Sequence, residues 1–383
     1  MLKLKYITNV RIPTSRAHGY AIMKMCEEFS RTGTDVELIV PNKKNEETEY
    51  EPFSYYGLDK NFTITKINSL DLIGKTTKFS KLFYPIDFIS FFISFFFKQK
   101  KLIGSDNVIY TRDYKILLLF SKNKFICLEL HEIPKFSFLF KKAIKKPKLF
   151  FVLNENLKSE LIKFGVDKRK IYISPSGVDI DDFDIDVSQN KSREKVNLPL
   201  DKKIILYSGQ FYGWKGIDTL AETAKLLPEH LFVFIGGTEP ELGIFNTKYN
   251  DVKNIKVIPF VERKMIPIYL KAADVLVSPN SAKSQTSAYF TSPLKLLEYM
   301  AVKRPIIVSD LPSMREVVSE EECVFAKSDD SISFATAINK ILSNEALAVK
   351  MAENAYQKVQ KYSWQKRSEN ILSIIKQNLC FKK

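Results

Sequence analysis

The chain has 383 residues, more than one hydrophobic core usually organises, so two domains are expected. Its 59 Lys and Arg residues outnumber 44 Asp and Glu residues and give a net charge of +15. This charge favours an anionic partner, such as nucleic acid, a phospholipid surface or a phosphorylated small molecule, although a solvated lysine-rich face would have the same composition.

Neither a disulfide framework nor a secretory leader is expected. Residues 1–5 carry lysines where a leader would have an apolar core, which predicts a protein of the cytosol. The basic runs at 98–101 and 141–148 lack the interleaved aromatic residues of single-strand binding proteins, so no nucleic acid partner is expected. The four cysteines have no paired spacing: Cys26, Cys127, Cys323 and Cys380.

Short β-branched or aromatic runs alternate with helical segments in the first half. This alternation predicts a parallel sheet covered by helices. The predicted strands are Leu4–Ile7, Val36–Val40, Asn107–Tyr110, Phe125–Leu128, Leu149–Leu153 and Ile171–Ser174.

A phenylalanine-rich stretch, Leu82–Phe97, falls within this half. Pro85 and Asp87 interrupt it, and it is shorter than the roughly 20 apolar residues that span a bilayer. The stretch predicts a buried core helix, with a helix lying on a membrane surface as the alternative.

A polar stretch at 184–193 separates a second α/β half from the first. Helices are predicted from Ser331 to the end, the last one beginning near Tyr362. Ligands bind beyond the carboxyl ends of strands in such sheets, so motifs should follow strands. The predicted strands of this half are Ile204–Ser208, Leu231–Ile235, Ile255–Ile258, Val275–Ser278 and Pro305–Ser309.

The first such motif is Ser208–Asp218, between a strand and the predicted helix Thr219–Leu227. Its glycines allow backbone N–H groups to approach a phosphate, and Lys215 adds a charge near a helix start. The motif is neither a Walker loop nor a dinucleotide fingerprint. It predicts a phosphate site, whereas a turn with one exposed lysine is the alternative.

The second motif, Thr291–Ala301, opens another helix. Ser292 suits an N-cap and Pro293 the first helical position, which favours an anion site at this end. Lys295 and Glu298 share a helix face, and a buried Glu298 would suit two vicinal hydroxyls such as those of a ribose. The alternative is a surface ion pair between the two side chains.

Both motifs resemble the donor-binding elements of glycosyltransferase family 4, whose members have the GT-B fold. The resemblance covers nearly the whole chain. In the first half it rests on the segments Ile12–Gly19, Tyr110–Asp113, Glu129–Glu132, Val152–Asn154 and Ser174–Asp179.

The resemblance implies an α/β protein of GT-B architecture, with two Rossmann-like domains facing a central cleft. The N-terminal domain, at 1–183, would bind the acceptor, and a linker would follow at 184–200. The nucleotide-sugar-binding domain would occupy 201–362. A C-terminal helix at 363–383 would return to the first domain.

The resemblance also implies the roles of individual residues. Lys215 would contact the donor diphosphate and His131 the transferred sugar, and these two are the expected catalytic residues. The donor would also be bound by Gly209, Gln210, Gly216, Pro293, Leu294, Lys295 and Glu298. The acceptor or the loop over the cleft would involve Arg11, Thr14, His18, Gly19 and Arg112.

The implied activity is retaining transfer of a sugar from a nucleotide diphosphate sugar to a glycan, a lipid-linked acceptor or another hydroxyl. No metal or other cofactor is expected, because Lys215 and a helix terminus would stabilise the leaving phosphate. The expected location is the cytoplasm, with peripheral contact to an anionic membrane. The alternatives are a GT-B nucleotide-sugar epimerase and a non-catalytic partner subunit.

Three positions depart from the family pattern. Phe290 stands where a first glutamate is common, and Gln210 where an arginine is frequent. Lys303 replaces a glycine that commonly ends the Glu298 helix, so a left-handed backbone there would cost about 1 to 2 kcal/mol.

Two further strings resemble metal sites. The acidic run Asp179–Asp184 is similar to an Asp-x-Asp metal motif, but an acidic turn is expected there. The string Glu129–Glu132 lacks the second histidine of a zinc protease, because Lys135 stands at that spacing.

Overall fold

A computed structural model describes residues 1–45, 47, 49–71, 80–134, 137–292 and 294–380. The chain forms two compact units, one of Met1–Ser174 with Trp364–Lys383 and the other of Pro175–Ser363. Each unit contains a parallel β-sheet with helices, which confirms the predicted fold class.

The sheet of the first unit has the strand order β3-β2-β1-β4-β5-β6-β7. Every neighbouring pair is parallel. The strands are β1 (Lys3–Ile7), β2 (Asp35–Asn42), β3 (Thr63–Asn68), β4 (Val108–Thr111), β5 (Phe125–Leu130), β6 (Leu149–Val152) and β7 (Ile171–Ile173). The helices of this unit are α1 (Ala17–Arg31), α2 (Pro52–Tyr56), α3 (Ser80–Leu102), α4 (Ser137–Ala143), α5 (Glu155–Lys163) and α15 (Trp364–Cys380).

The last helix belongs to the first unit. It packs against α1, and the ring of buried Trp364 lies 6.5 Å from that of Tyr20 in an edge-on contact. Ile371 and Ile375 follow at helical spacing and are fully buried. The apolar face of α15 therefore completes the core of a unit whose other residues end at Ser174.

The sheet of the second unit has the order β10-β9-β8-β11-β12-β13, again with parallel neighbours. The strands are β8 (Ile204–Ser208), β9 (Leu231–Ile235), β10 (Ile255–Ile258), β11 (Val275–Ser278), β12 (Ile306–Ser309) and β13 (Val324–Ala326). The helices are α6 (Ile180–Phe183), α7 (Gln189–Lys195), α8 (Ile217–Leu226), α9 (Glu239–Lys248), α10 (Ile266–Ala272), α11 (Leu294–Ala301), α12 (Pro312–Arg315), α13 (Ser331–Leu342) and α14 (Glu345–Val359).

The boundary between the units lies earlier than the predicted end of the first domain at residue 183. Val178 and Phe183 are each 1% exposed and belong to the hydrophobic core of the second unit. The polar stretch predicted as a linker contains α7, whose Arg193 bonds to Asp274 at 2.6 Å. Its polar residues are thus bound to the second unit.

Two strands were missed by the sequence patterns. β3 is an edge strand in which Ile67 is the one buried residue and the others are exposed or partly buried, so it lacks the apolar run that marks its neighbours. β13 has three residues and is too short to show a period. Both add to sheets whose central strands were predicted correctly.

The predicted core helix, α3, is buried on one face only. Phe91 and Phe95 are fully buried, which fulfils the prediction on that side. None of the described helices is long and apolar enough to cross a bilayer. The exposed apolar residues follow helical spacing, and we call them the α3 stripe: Ile86, Ile89, Ile93, Phe96 and Phe97.

Candidate active site

The first motif forms a loop after β8, and two of its glycines are required by geometry. Gly209 has a φ of 139°, and its N–H donates to Ile235 O at 2.9 Å. Gly216 has a φ of 73° and precedes α8, and a Cβ there would lie 1.7 Å from Pro279 O. Only glycine fits this backbone, so the loop is held close against its neighbours.

A second pair of glycines, at the end of β9, was not singled out from the sequence. Gly236 has a φ of 112°, and a Cβ on it would lie 2.4 Å from the carbonyl oxygen of Gly209. Gly237 is also left-handed, with a φ of 80°. The Gly-Gly pair after a predicted strand was the available signal, because it allows two loops to approach each other at the carboxyl edge of the sheet.

Lys215 ends a short 3₁₀ turn, Gly213–Lys215, immediately before α8. Its Nζ lies 4.0 Å from the centroid of the Trp214 ring, a cation–π contact. Burial lowers the pKa of Lys215 to about 8. The alternative of a turn with one exposed lysine is therefore wrong, because this ammonium group is partly desolvated.

Lys295, in the first turn of α11, is only 8% exposed. Its Nζ lies 4.2 Å from the centroid of the Tyr207 ring, and no hydrogen-bond acceptor reaches it among the described residues. Burial first, and then the neighbouring charge of Lys215, holds the pKa of Lys295 well below its usual range. Lys215 and Lys295 thus lie within electrostatic range of each other, and neither forms an ion pair with a carboxylate of the described residues.

The two motifs are joined by a buried tyrosine. The Ser208 N–H, at the end of β8, donates to the hydroxyl of Tyr299 on α11 at 2.8 Å. The hydroxyl of Tyr207, the ring beneath Lys295, donates to the carbonyl of Gln210 at 2.7 Å. These contacts place Lys295 beside the loop in which Gln210 replaces the frequent arginine.

Glu298 is paired with Arg263, a residue that the sequence did not indicate. Arg263 Nη1 donates to Glu298 Oε1 at 3.2 Å, and the Glu298 side chain is 13% exposed. The alternative of a surface pair between Lys295 and Glu298 is wrong, because Lys295 is buried without a hydrogen-bond acceptor among the described residues and Glu298 is paired with Arg263. Arg263 lies in a short turn after β10, with no sequence pattern that marks it.

Three positions at or just before the start of α11 were singled out from the sequence: Phe290, Ser292 and Pro293. The helix begins at Leu294, and Pro293 lies outside the described residues. The Ser292 hydroxyl accepts a hydrogen bond from the Ser176 N–H at 3.2 Å. Phe290, in place of the family glutamate, ends a π-helical turn, Thr286–Phe290.

In the first unit, the predicted residues His131 and Arg112 meet at a buried carboxylate. Glu129, in β5, is fully buried, and its Oε1 lies 2.8 Å from Arg112 Nη2 and 2.6 Å from His131 Nε2. Arg367 of α15 contributes a second guanidinium to the same oxygen at 3.0 Å. Sequence reasoning did not assign Glu129 or Arg367 to the site.

The loop at 11–19 is held by contacts within the first unit. Arg11 forms an ion pair with Asp71 at 2.8 Å. The Thr14 N–H donates to the Tyr56 hydroxyl at 2.7 Å, and that hydroxyl donates back to Thr14 O at 2.8 Å. A Cβ on Gly19 would lie 2.4 Å from Thr14 Cγ2, so this position requires glycine. His18 is exposed on the same loop.

The acidic run Asp179–Asp184 has a structural role at its end. Asp184 accepts hydrogen bonds from Lys303 at 3.0 Å and from the Tyr356 hydroxyl at 2.6 Å. Among the described residues, no three His, Cys, Asp or Glu side chains are grouped as metal ligands.

Residues 188–358, most of the second unit, match the profile of the family described as Glycosyl transferases group 1. The chain carries a group 1 glycosyl transferase domain. This match and the related proteins below confirm the resemblance to glycosyltransferase family 4.

Two relatives illustrate the range of the group 1 glycosyl transferases. The D-inositol 3-phosphate glycosyltransferase of Xylanimonas cellulosilytica is 25% identical over 227 residues, which are 56% of this chain and 53% of that protein. The UDP-Gal:alpha-D-GlcNAc-diphosphoundecaprenol alpha-1,3-galactosyltransferase of Escherichia coli is 26% identical over 223 residues, 55% of each chain. The chain thus spans about half the length of these relatives.

The fold of the chain is similar to that of solved structures. Anabaena HepE, solved in complex with UDP and glucose, superposes with a TM-score of 0.73 at 14% sequence identity. The superposition covers 98% of this chain and 100% of HepE. The predicted GT-B architecture is therefore confirmed.

Proposed function

We propose that this protein transfers a sugar from a nucleoside diphosphate sugar to a hydroxyl acceptor, with retention of configuration and without a metal ion. The observation that carries the proposal is Lys295, a buried ammonium group without an acceptor among the described residues, beside Lys215 and the glycine loop after β8. A buried charge without a partner costs several kcal/mol, so the arrangement favours a bound anion.

A diphosphate has the charge and the size that this arrangement requires. HepE was solved with UDP and glucose, which supports the same ligand class here. Gln210 removes a cation that related proteins frequently carry, and Lys295 restores one through its position on the Tyr207 ring. We infer that Lys215 and Lys295 together bind the donor diphosphate.

The nucleoside would be recognised by Glu298. A carboxylate accepts hydrogen bonds from two vicinal hydroxyls, and Arg263 holds this one by a single bond at 3.2 Å. A ribose can therefore bind to the remaining lone pairs without displacing the arginine. Glu298 would then contribute to donor affinity.

The absence of a metal requirement follows from the same two lysines. Cleavage of the bond between sugar and diphosphate places negative charge on the leaving phosphate. Each charge-assisted hydrogen bond from a lysine contributes about 1.5 to 3 kcal/mol, so two of them supply the stabilisation that a divalent ion would otherwise give.

Retention through a front-face displacement is favoured by the contacts of Glu129. This carboxylate forms ion pairs with Arg112 and Arg367 and is hydrogen-bonded to His131 and Tyr110, so both of its oxygens are occupied. A carboxylate bound in this way is a poor covalent nucleophile. His131 would instead contact the transferred sugar, in agreement with the family resemblance.

The acceptor would be a glycan or lipid-linked hydroxyl bound by the first unit at an anionic membrane surface. The α3 stripe exposes isoleucine and phenylalanine side chains, with Phe97 77% exposed. Exposed lysines follow directly at Lys98, Lys100 and Lys101. Apolar residues beside lysines are typical of helices that lie on anionic lipid, and the E. coli relative is named for a diphosphoundecaprenol acceptor.

The first experiment measures binding of UDP, GDP and ADP by calorimetry to the parent, to Lys295→Met and to Lys340→Met, an exposed lysine of α13 as control. One diphosphate should bind the parent and the control equally, and Lys295→Met at least tenfold more weakly. Gln210→Arg in the Lys295→Met background should restore part of the affinity. No binding by the parent, or full binding by Lys295→Met, would contradict the proposal.

The second experiment identifies the reaction. The matching nucleotide sugar is incubated with and without acceptor glycans, and the products are analysed. A new glycoside with retained configuration supports the transferase. Release of a free or altered sugar without an acceptor would indicate the epimerase class, and no turnover would indicate a partner subunit.

A further inference from the structure

Glu129 is the centre of a buried polar cluster in the first unit. It is fully buried at 0% exposure, and its Oε1 forms ion pairs with Arg112 at 2.8 Å and with Arg367 at 3.0 Å. Its Oε2 accepts from the Tyr110 hydroxyl. Burial raises the pKa of Glu129, but the two arginines outweigh it and hold that pKa well below its usual range.

His131 presents Nε2 to this carboxylate at 2.6 Å. An ionised carboxylate accepts hydrogen bonds only, so the hydrogen between the two groups must belong to Nε2. If the imidazole is neutral, Nδ1 then carries a lone pair. The contact with Glu129 therefore determines the tautomer of His131.

The charges around His131 keep the imidazole neutral. Two guanidinium groups, Arg112 and Arg367, already face the single carboxylate of Glu129, and His18 lies within electrostatic range. Burial, and then the charge of Arg112, lower the pKa of His131 to about 4 although its bond to Glu129 acts in the opposite direction. A proton on Nδ1 would add a further positive charge to a cluster that has an excess of one.

We propose that Glu129 is a positioning residue that fixes His131 in the Nε2–H tautomer and so presents Nδ1 as a hydrogen-bond acceptor for a sugar hydroxyl. The inference rests on the proposed transferase function. Helix α15 also contributes to the positioning of His131, because the guanidinium of its Arg367 forms an ion pair with Glu129. Arg367 also donates to Ser174 O at 3.3 Å, which fixes its side chain against the first unit.

The tautomer can be read directly by nitrogen NMR on protein labelled in its 3 histidines. At pH 7 the His131 ring should show a protonated Nε2 and an unprotonated Nδ1. The signals are assigned by their loss in His131→Asn and by their retention in His18→Asn and His230→Asn. A ring protonated at Nδ1, or at both nitrogens, would overturn the proposal whatever the activity.

Arg367→Met tests the contribution of α15, with Lys376→Met, an exposed residue of the same helix, as control. Removal of one positive charge from the cluster makes protonation of His131 less costly. The midpoint of the His131 titration should therefore rise in Arg367→Met and stay unchanged in the control. An unchanged midpoint in Arg367→Met would contradict the coupling.

Kinetics separate positioning from a purely structural role. Glu129→Gln should lower kcat about 10 to 100-fold with little change in nucleoside diphosphate affinity, and should populate both His131 tautomers. Glu132→Gln, an exposed neighbour, should behave like the parent. A folded Glu129→Gln protein with parental kcat and tautomer would refute the proposal. Failure of the proposed function would appear separately, as a parent protein that binds no nucleoside diphosphate.

Discussion

At the scale of single residues, Lys295 shows how binding and stability oppose each other. Its ammonium group is buried and has no acceptor among the described residues, so it destabilises the ligand-free fold. The same group would gain the most binding energy from a bound phosphate, because the attraction between opposite charges is stronger where water is excluded. The cation would therefore be retained for its ligand.

Lys295→Met should make the ligand-free protein more stable at pH 7 and change its pH dependence. In the parent, burial holds the pKa of Lys295 well below 10.5, whereas in the unfolded chain it stays charged until about pH 10.4. The unfolded state therefore binds more protons between these two values, so the free energy of unfolding rises with pH in the parent. Urea unfolding from pH 7 to pH 10 should show a slope up to about 1.4 kcal/mol per pH unit steeper in the parent than in the variant. Equal slopes would contradict the burial of the cation.

Substitution of Lys215 and substitution of Glu298 should change different kinetic parameters. Lys215→Ala should lower kcat by about 10² to 10³-fold, because the phosphate charge it faces grows during bond cleavage. Glu298→Gln should mainly raise KM and weaken binding of the nucleoside diphosphate, because a contact with the ribose stabilises the bound ground state and the transition state equally. Steady-state kinetics and calorimetry on folded variants separate the two effects.

Glu262→Gln is a suitable control, since this carboxylate is 70% exposed beside the Arg263 turn. If Lys215→Ala and Glu298→Gln both behave like this control, the donor site lies elsewhere.

At the scale of elements, helix α11 is followed by a lysine in a conformation that favours glycine. Lys303 has a φ of 54°, as the departure from the family glycine indicated. Its ammonium bonds to Asp184 at 3.0 Å and lies 3.8 Å from the centroid of the Tyr356 ring. The side-chain contacts offset part of the backbone cost.

Lys303→Gly should therefore be more stable than Lys303→Ala by about 1 kcal/mol, measured by urea unfolding. Both substitutions remove the contacts with Asp184 and Tyr356, but only glycine also relieves the left-handed backbone. Equal stability of the two variants would show that the left-handed backbone at this position does not lower the free energy of unfolding.

The α3 stripe predicts that helix α3 binds to a membrane surface. Binding of the parent to phosphatidylglycerol vesicles should weaken with salt, since each lysine near the surface adds about 1 kcal/mol, and neutral vesicles should bind less. The double variant Ile89→Ser with Phe97→Ser should bind at least tenfold more weakly. Ile244→Ser, which alters an isoleucine 71% exposed on α9, is the control. Equal sedimentation of the parent with neutral and anionic vesicles would remove the membrane proposal and leave the donor site unaffected.

At the scale of the whole molecule, the proposed reaction is expected to proceed without a divalent ion. Turnover of the nucleotide sugar should stay within about twofold of its initial rate in excess EDTA, because two lysines take the role of a metal at the diphosphate. Loss of activity that magnesium or manganese restores would contradict this and direct attention to Asp179–Asp184.

The sequence alone determined the α/β class and most strands, and it pointed to two motifs as a phosphate site. Apolar runs of β-branched residues mark buried parallel strands, and glycines mark loops, because both signals are local. Gly209, Gly216 and Lys215 were predicted from such local signals, and the structure places them together after β8. The left-handed conformation at Lys303 was raised only by comparison with the glycine that the family commonly has there, and the structure shows it.

The tertiary structure alone decided which charged side chains meet. Glu298 pairs with Arg263 and Glu129 with Arg367, partners that are distant in the chain and that no spacing rule connects. Likewise, Lys295 of α11 lies over the ring of Tyr207, a residue of strand β8. A local pattern records the chemistry of a residue and its periodicity, whereas a charge pair or a desolvated cation depends on the packing of distant elements. The sequence could therefore name candidate residues, whereas their protonation and pairing required the fold.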